Sequence, residues 1–144
     1  MNPREFVSQL DEAKIVTAIA EAEQKTSGEI CVYVSHKQRE DALAAAHLRF
    51  HKLGMTKTRQ RNAVLIYLAP LTHKFAIVGD TGIHEKCGKT FWQEIAGRMT
   101  DQLKKHLFTE AIITAIKEVG GVLAQHFPPE PGDRNELSNK VVQD

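Results

Sequence analysis

Ala63-Val64-Leu65-Ile66-Tyr67-Leu68-Ala69 is an unbroken apolar run, so a strand built from it has no face to give to water. Glu29-Ile30-Cys31-Val32-Tyr33-Val34-Ser35 has the same character, rich in β-branched and aromatic residues and apolar on both sides. Strands of this kind need cover above and below, which a chain supplies by alternating them with helices.

The flanking segments provide that cover. A helix is predicted from about Ser8 to Lys25, with Ser8 and Asp11 in capping positions and Ile15, Val16, Ile19 and Ala22 along one side. Thr26-Ser27-Gly28 ends it. Asp41 to Leu53 forms the next helix, with Leu43, Ala46, Phe50 and Leu53 as its stripe and Gly54 as its stop. Pro70-Leu71-Thr72-His73 turns the apolar run into Lys74-Phe75-Ala76-Ile77-Val78 and makes a hairpin. Thr90 and Gln93 form a capping box for a helix to about His106, and Thr109 caps the last helix, with Phe108 and Ile113 at staple positions. Ile112, Ile116, Val119 and Leu123 are its buried stripe. Gly120-Gly121 within it signals a close helix contact or a bend, since two mid-helix glycines cost roughly 2 kcal/mol relative to alanine.

The order α-β-α-β-β-α-α predicts an α/β fold, a three-layer α/β/α sandwich with a small mixed β-sheet. Its first β-α-β unit is a right-handed parallel crossover and its third strand runs antiparallel. Residues 1–127 are expected to form the domain. From Pro128 the proline-rich composition predicts an extended tail over 128–144.

At 144 residues the chain has the size of one domain, and a formal charge of +1 gives no global attraction to nucleic acid or anionic membrane. No apolar segment approaches bilayer length, so no membrane insertion is expected. Cys31 and Cys87 lack CxxC spacing and read as free thiols in a reducing, cytoplasmic setting. His47 and His51 have the i, i+4 spacing of zinc ligands but no accompanying glutamate or third ligand. No nucleophile elbow and no phosphate-binding P-loop is present.

The topology itself points to a site. Parallel pairing of the first two strands sets their beginnings at one edge, and the hairpin returns the end of the third strand there. Ser27 and Glu29, then Arg59, Arg61 and Asn62, then Asp80, Thr81 and Gly82 therefore converge. Ser27, Arg59, Arg61, Asn62, Thr81 and Gly82 are the candidate ligand-binding residues. Guanidinium groups bind phosphate or carboxylate through paired hydrogen bonds. Glu29 and Asp80 are the candidate ligands for calcium or magnesium, and Asp80 is the candidate catalytic residue, with a salt bridge to Arg59 or Arg61 as its plainer role. Gly79-Asp80-Thr81-Gly82 occurs once, which excludes an aspartic protease, since that chemistry needs two such aspartates. The opposite edge, at Ser35-His36-Lys37-Gln38, is the second choice, because ligands of open α/β sheets gather at the carboxyl ends of parallel strands.

Thr26-Ser27-Gly28-Glu29-Ile30, the Phe50-His51-Lys52-Leu53-Gly54-Met55 helix end, Thr58-Arg59-Gln60-Arg61-Asn62-Ala63-Val64-Leu65-Ile66, and Gly79-Asp80-Thr81-Gly82-Ile83 with Trp92 together resemble a TPM domain. The similarity runs from about residue 10 to 127, and Asn135-Glu136-Leu137 resembles the end of the short bacterial members. Plant thylakoid-lumen phosphatases, photosystem repair proteins and a modulator of acetylcholine receptors carry this domain. The resemblance implies an α/β/α sandwich, and for the plant branch an acid phosphatase activity and a calcium site. Arg61, Asn62, Asp80 and Gly82 match the family's recurrent polar and glycine positions, whereas Ala63 stands where the family commonly has glycine. The exported members' signal and membrane helix are not matched, which predicts an unexported protein.

Two functions follow as expectations. The first is a binding or accessory module for a small anionic ligand, a divalent ion or a protein partner, the tail being a further contact surface. The alternative is a metal-assisted acid phosphatase acting on phosphomonoesters, with Asp80 on the ion and Arg61 on the phosphate. A hard cation wants several carboxylates, and only Glu29, Asp80 and the more distant Glu85 are on offer, which ranks binding first.

Overall fold

The apolar run forms β2 (Ala63–Ala69), and all of its residues are buried. In the computed structural model, which describes residues 1–131 and 139–144, β2 lies between two partners. β1 (Glu29–Val34) pairs with it in parallel from Glu29↔Ala63 to Val34↔Leu68, and β3 (Lys74–Gly79) pairs antiparallel from Val64↔Gly79 to Ala69↔Lys74. Alternate side chains enter different cores. Ile30, Val32, Val34, Val64, Ile66 and Leu68 face the layer of α2 (Glu12–Glu23), α4 (Thr81–Lys104) and α5 (Phe108–His126). Cys31, Tyr33, Leu65, Tyr67, Ala76 and Val78 face α3 (Ala42–Lys52), where Tyr33 stacks on Tyr67 at 5.4 Å between ring centroids. The fold is the expected α/β sandwich around a mixed sheet.

Several boundaries differ from expectation. Pro3–Ser8 is a separate helix, α1, capped by Asn2, whose Oδ1 accepts from the Arg4 N–H at 2.8 Å. α2 begins only at Glu12, where the Asp11 carboxylate accepts from the Lys14 N–H at 3.2 Å, so Ser8 ends one helix instead of starting the next. Thr109 does not cap α5. Leu107 occupies that position without a side-chain bond, and the Thr109 hydroxyl accepts from the Asp11 N–H at 3.0 Å, tying α5 to the turn between α1 and α2.

α4 starts directly after β3, because the Asp80 carboxylate accepts from the Thr81 N–H at 2.8 Å. Gly88 then breaks the helical geometry with φ 73° and ψ 174°, and the segment expected from Thr90 is the part beyond that kink. A fourth strand, β4 (Val142–Gln143), pairs in parallel with β1 and gives the sheet order β3-β2-β1-β4. The Asn135-Glu136-Leu137 match lies outside the described residues.

Of the paired glycines, Gly120 makes the close helix contact: a Cβ there would stand 2.9 Å from the Ala22 Cβ of α2, whereas one at Gly121 would meet nothing within 4 Å. Gly121→Ala is therefore expected to raise stability by about 0.8–1 kcal/mol through helix propensity. Gly120→Ala should lose that gain against α2, and urea-unfolding midpoints of the two variants compare them. Equal gains would mean that α5 does not approach α2 this closely.

Candidate functional site

The register carries the three segments to one edge: Glu29 lies beside Ala63, and Val64 beside Gly79. Main-chain bonds lock the corner, with the Asp80 N–H donating to the Ala63 carbonyl at 3.0 Å and the Gly82 N–H to the Arg61 carbonyl at 2.8 Å. Gly82 is helical, and its absent side chain is what permits this approach, since a Cβ would collide with the Gln60 and Arg61 carbonyl oxygens.

Arg61 and Asp80 form the centre. The Arg61 Nε donates to Asp80 Oδ2 at 2.6 Å and its second terminal nitrogen to Oδ1 at 2.8 Å, a two-point pair. Asp80 is 5% exposed and the Arg61 side chain 46%. The hydrogen bond and the charge of Asp80 both push the Arg61 guanidinium further toward its charged form. Arg61 adopts a left-handed backbone, φ 53°, uncommon for a residue with a side chain, and its N–H donates to the Thr58 carbonyl. Asn62, buried, donates through Nδ2 to the Ser27 hydroxyl at 3.1 Å, and its own N–H donates to the Thr58 hydroxyl at 3.2 Å. Direct hydrogen bonds thus join Ser27 to Asn62 and, separately, Arg61 to Asp80 and Gly82 and Asp80 to Thr81, the two groups meeting at Thr58, which accepts from both Arg61 and Asn62. Arg59 lies further out, 89% exposed, with its guanidinium 3.7 Å from Glu130.

Two carboxylates absent from the sequence reading join this edge. Glu130 accepts from Gln60 and faces Arg59. Glu23 ends α2 and accepts from the Ile30 N–H at 2.9 Å. Burial pushes its carboxyl up to about 7; the Ile30 bond opposes that shift and the charge of Glu29 adds to it. Glu29 is itself 6% exposed. No local motif marks Glu23, because its proximity arises from the tight Thr26-Ser27-Gly28 reversal between α2 and β1.

Among the described residues, no three His, Cys, Asp or Glu side chains gather in a metal-binding group. His47 and His51 are exposed on α3. Burial, followed by the charges of Glu23 and Glu29, pushes the Cys31 thiol up to about 12, and burial also raises Cys87, so neither favours the thiolate. At the opposite edge, Ser35 and His36 hold the carboxylate of Asp144, with the Ser35 hydroxyl donating to Oδ2 and the His36 N–H to Oδ1, each at 2.7 Å.

Among the described residues, a four-stranded mixed sheet of order β3-β2-β1-β4 between helical layers defines an α/β sandwich. The chain belongs to the TPM domain family, whose pattern covers residues 1–122. Its fold is shared with the BA42 protein of the psychrophilic bacterium Bizionia argentinensis, solved by NMR, at 35% identity over 92% of each chain and a TM-score of 0.83. No curated protein matches the chain. Among the described residues, no helix is long and apolar enough to cross a membrane.

The raised Glu23 carboxyl has a measurable consequence. Its folded value of about 7 exceeds the ordinary 4.5, so between these values the folded state retains a proton that the unfolded state has lost. Stability therefore falls as pH rises through that interval. Glu23→Gln is expected to flatten this part of the profile and to be more stable than wild type above about pH 7. Denaturant midpoints across the range check it, and an unchanged slope would remove Glu23 as the cause.

Proposed function

We propose that the Arg61–Asp80 edge is a binding surface for a small anionic ligand and that the protein acts as a binding or accessory module. The observation carrying this reading is the two-point pair itself. It engages both Asp80 oxygens while the guanidinium, which has five N–H donors, remains about half exposed. Arg59, almost wholly exposed, adds a second positive charge beside it. A phosphate or carboxylate fits such a rim, with Asn62, Ser27 and Thr81 bordering it.

The phosphatase alternative asks more of the same residues. Asp80 would have to bind an ion or attack phosphorus while holding Arg61 and the first N–H of α4. Opening that pair would also remove the start of the helix. A divalent ion finds no better place at Glu23 and Glu29, since two carboxylates fall short of the several oxygen ligands a hard cation takes and, among the described residues, no third His, Cys, Asp or Glu joins them. The two free thiols, Cys31 and Cys87, support the same module working in the reducing cytoplasm.

The test combines amide-shift titrations with inorganic phosphate, calcium and magnesium and turnover of a generic phosphomonoester. Phosphate is expected to shift residues 58–62 and 79–83, and Arg59→Ala to weaken that binding by roughly tenfold, the loss of one charge-assisted hydrogen bond. No turnover is expected with either ion. Metal-dependent turnover that disappears in Asp80→Asn would replace this reading with the phosphatase.

A further inference from the structure

β1 has two edges of different kinds. Along one it pairs with β2 over its full length, whereas along the other, among the described residues, β4 pairs only with Tyr33 and Val34. At the start of that second edge the Ile30 N–H is taken by the Glu23 carboxylate, so a side chain guards one end and a short segment of chain the other.

The way this segment is held has the form of peptide recognition. Val141 is buried in the core beneath α2 and α5, and Val142 packs into the opposite core under α3. The Gln143 side-chain oxygen lies 2.7 Å from His36 Nε2. The Asp144 carboxylate then closes the sequence on Ser35 and His36. Each of four successive residues meets its own complementary feature.

The receiving side is built largely from the domain itself. Ser35 is wholly buried; its N–H donates to the Leu68 carbonyl at 2.8 Å, and its hydroxyl accepts from the Lys37 N–H at 3.2 Å. These bonds fix the hydroxyl without help from residues 141–144. Arg49 lies 4.8 Å above the Tyr33 ring, and its charge and that of Lys37 both face Asp144. Burial works to raise the Asp144 carboxyl, but the bonds from His36 and Ser35, together with the charges of Lys37 and Arg49, outweigh it and lower it below its ordinary value. The clamp therefore prefers an ionised carboxylate, and it lies where the parallel strands end, the usual ligand position of open α/β sheets.

We propose that the outer edge of β1 and the Ser35–His36 clamp form a docking groove for an extended protein segment of the pattern apolar-apolar-polar-aspartate, with Val141–Asp144 occupying it as a tethered competitor. The partner adds a strand to β1, as in other strand-addition complexes, and its aspartate side chain replaces that of Asp144. Tethering gives the internal segment a local concentration in the millimolar range, so an external segment binds well only when the internal one is weakened or outnumbered. The groove lies at the opposite edge from the Arg61–Asp80 pair, and its occupancy stands or falls independently of the anion reading there.

The test uses the full chain. In Asp144→Asn the amide of Val142, which the parallel register turns toward β1, should lose at least about tenfold in exchange protection, the loss of a charge-assisted hydrogen bond. An acetylated and amidated peptide with the sequence of residues 139–144 should then shift the amides of residues 33–37, strongest at His36. Residues 58–62 and 79–83 should stay unmoved. Its aspartate-to-asparagine counterpart should bind at least about tenfold more weakly, and the wild-type chain should take the original peptide correspondingly less well. Ser35→Ala should reduce peptide binding in the same way.

Unchanged protection in Asp144→Asn would overturn the proposal, as would equal binding of the two peptides or no shift at residues 33–37. Concentration-dependent dimers of the wild type that vanish in Asp144→Asn would identify the occupant as a second copy of this chain and overturn the partner assignment.

Discussion

The whole arrangement depends on β2 being buried on both faces. A strand with no polar side must lie inside a sheet and inside a sandwich, which leaves the chain few ways to pass it. The β1–α3–β2 crossover makes its first neighbour parallel, and the short Pro70–Thr72 turn makes its second antiparallel. Those two directions bring the beginnings of β1 and β2 and the end of β3 to one edge. The meeting of Ser27, Arg61 and Asp80 is thus a consequence of core burial before it is a matter of surface chemistry.

That origin explains which parts were legible in the sequence. β1, β2 and β3 rest on composition that no tertiary contact needs to supplement, and the stripes of α2 and α5 are likewise local; in α3 Ala46 and Phe50 are buried as expected, but Leu43 is exposed and Ala42 takes the buried place at the start of the helix. The start of α4 was not, because a capping box at Thr90 and Gln93 competes with Asp80. Asp80 wins, since its side chain can bond the Thr81 N–H as soon as β3 ends, and Gly88 absorbs the mismatch between the two starts. Thr109 is a similar case: its hydroxyl bonds the Asp11 N–H across the structure instead of its own helix. β4 escaped because two residues carry no periodicity, and its stability comes from pockets on both sides of the sheet.

At the candidate site, sequence order identified the residues that topology gathers but not how they pair. Arg59 and Arg61 are equivalent as letters; only Arg61, turned by its positive φ, reaches Asp80, while Arg59 faces Glu130. Glu23 was invisible for a different reason. Its role comes from burial beside Ile30 and Glu29, and burial of a carboxylate cannot be read from a helix end. The same limit applies to Gly82, which the sequence offers as a candidate ligand-binding position and which acts as the place where α4 presses against the loop before β2.

The two ends of the sheet share a physical logic. At one, a guanidinium that could receive an external anion is held by Asp80; at the other, a hydroxyl and a main-chain N–H are held by Asp144. An internal carboxylate in such a position satisfies donors that would otherwise be costly to leave unbonded, and it sets the threshold an outside ligand must exceed. The two thresholds differ in kind. Asp80 is fixed between β3 and α4 and cannot leave without dissolving a helix start, so a ligand there must share Arg61 with it. Asp144 follows a ladder of only two pairs, so the exchange proposed there would withdraw Val141 from the core while leaving the β1–β2 pairing in place. On these proposals, sharing at one edge and exchange at the other would follow from the rigidity of the elements that bear the two aspartates.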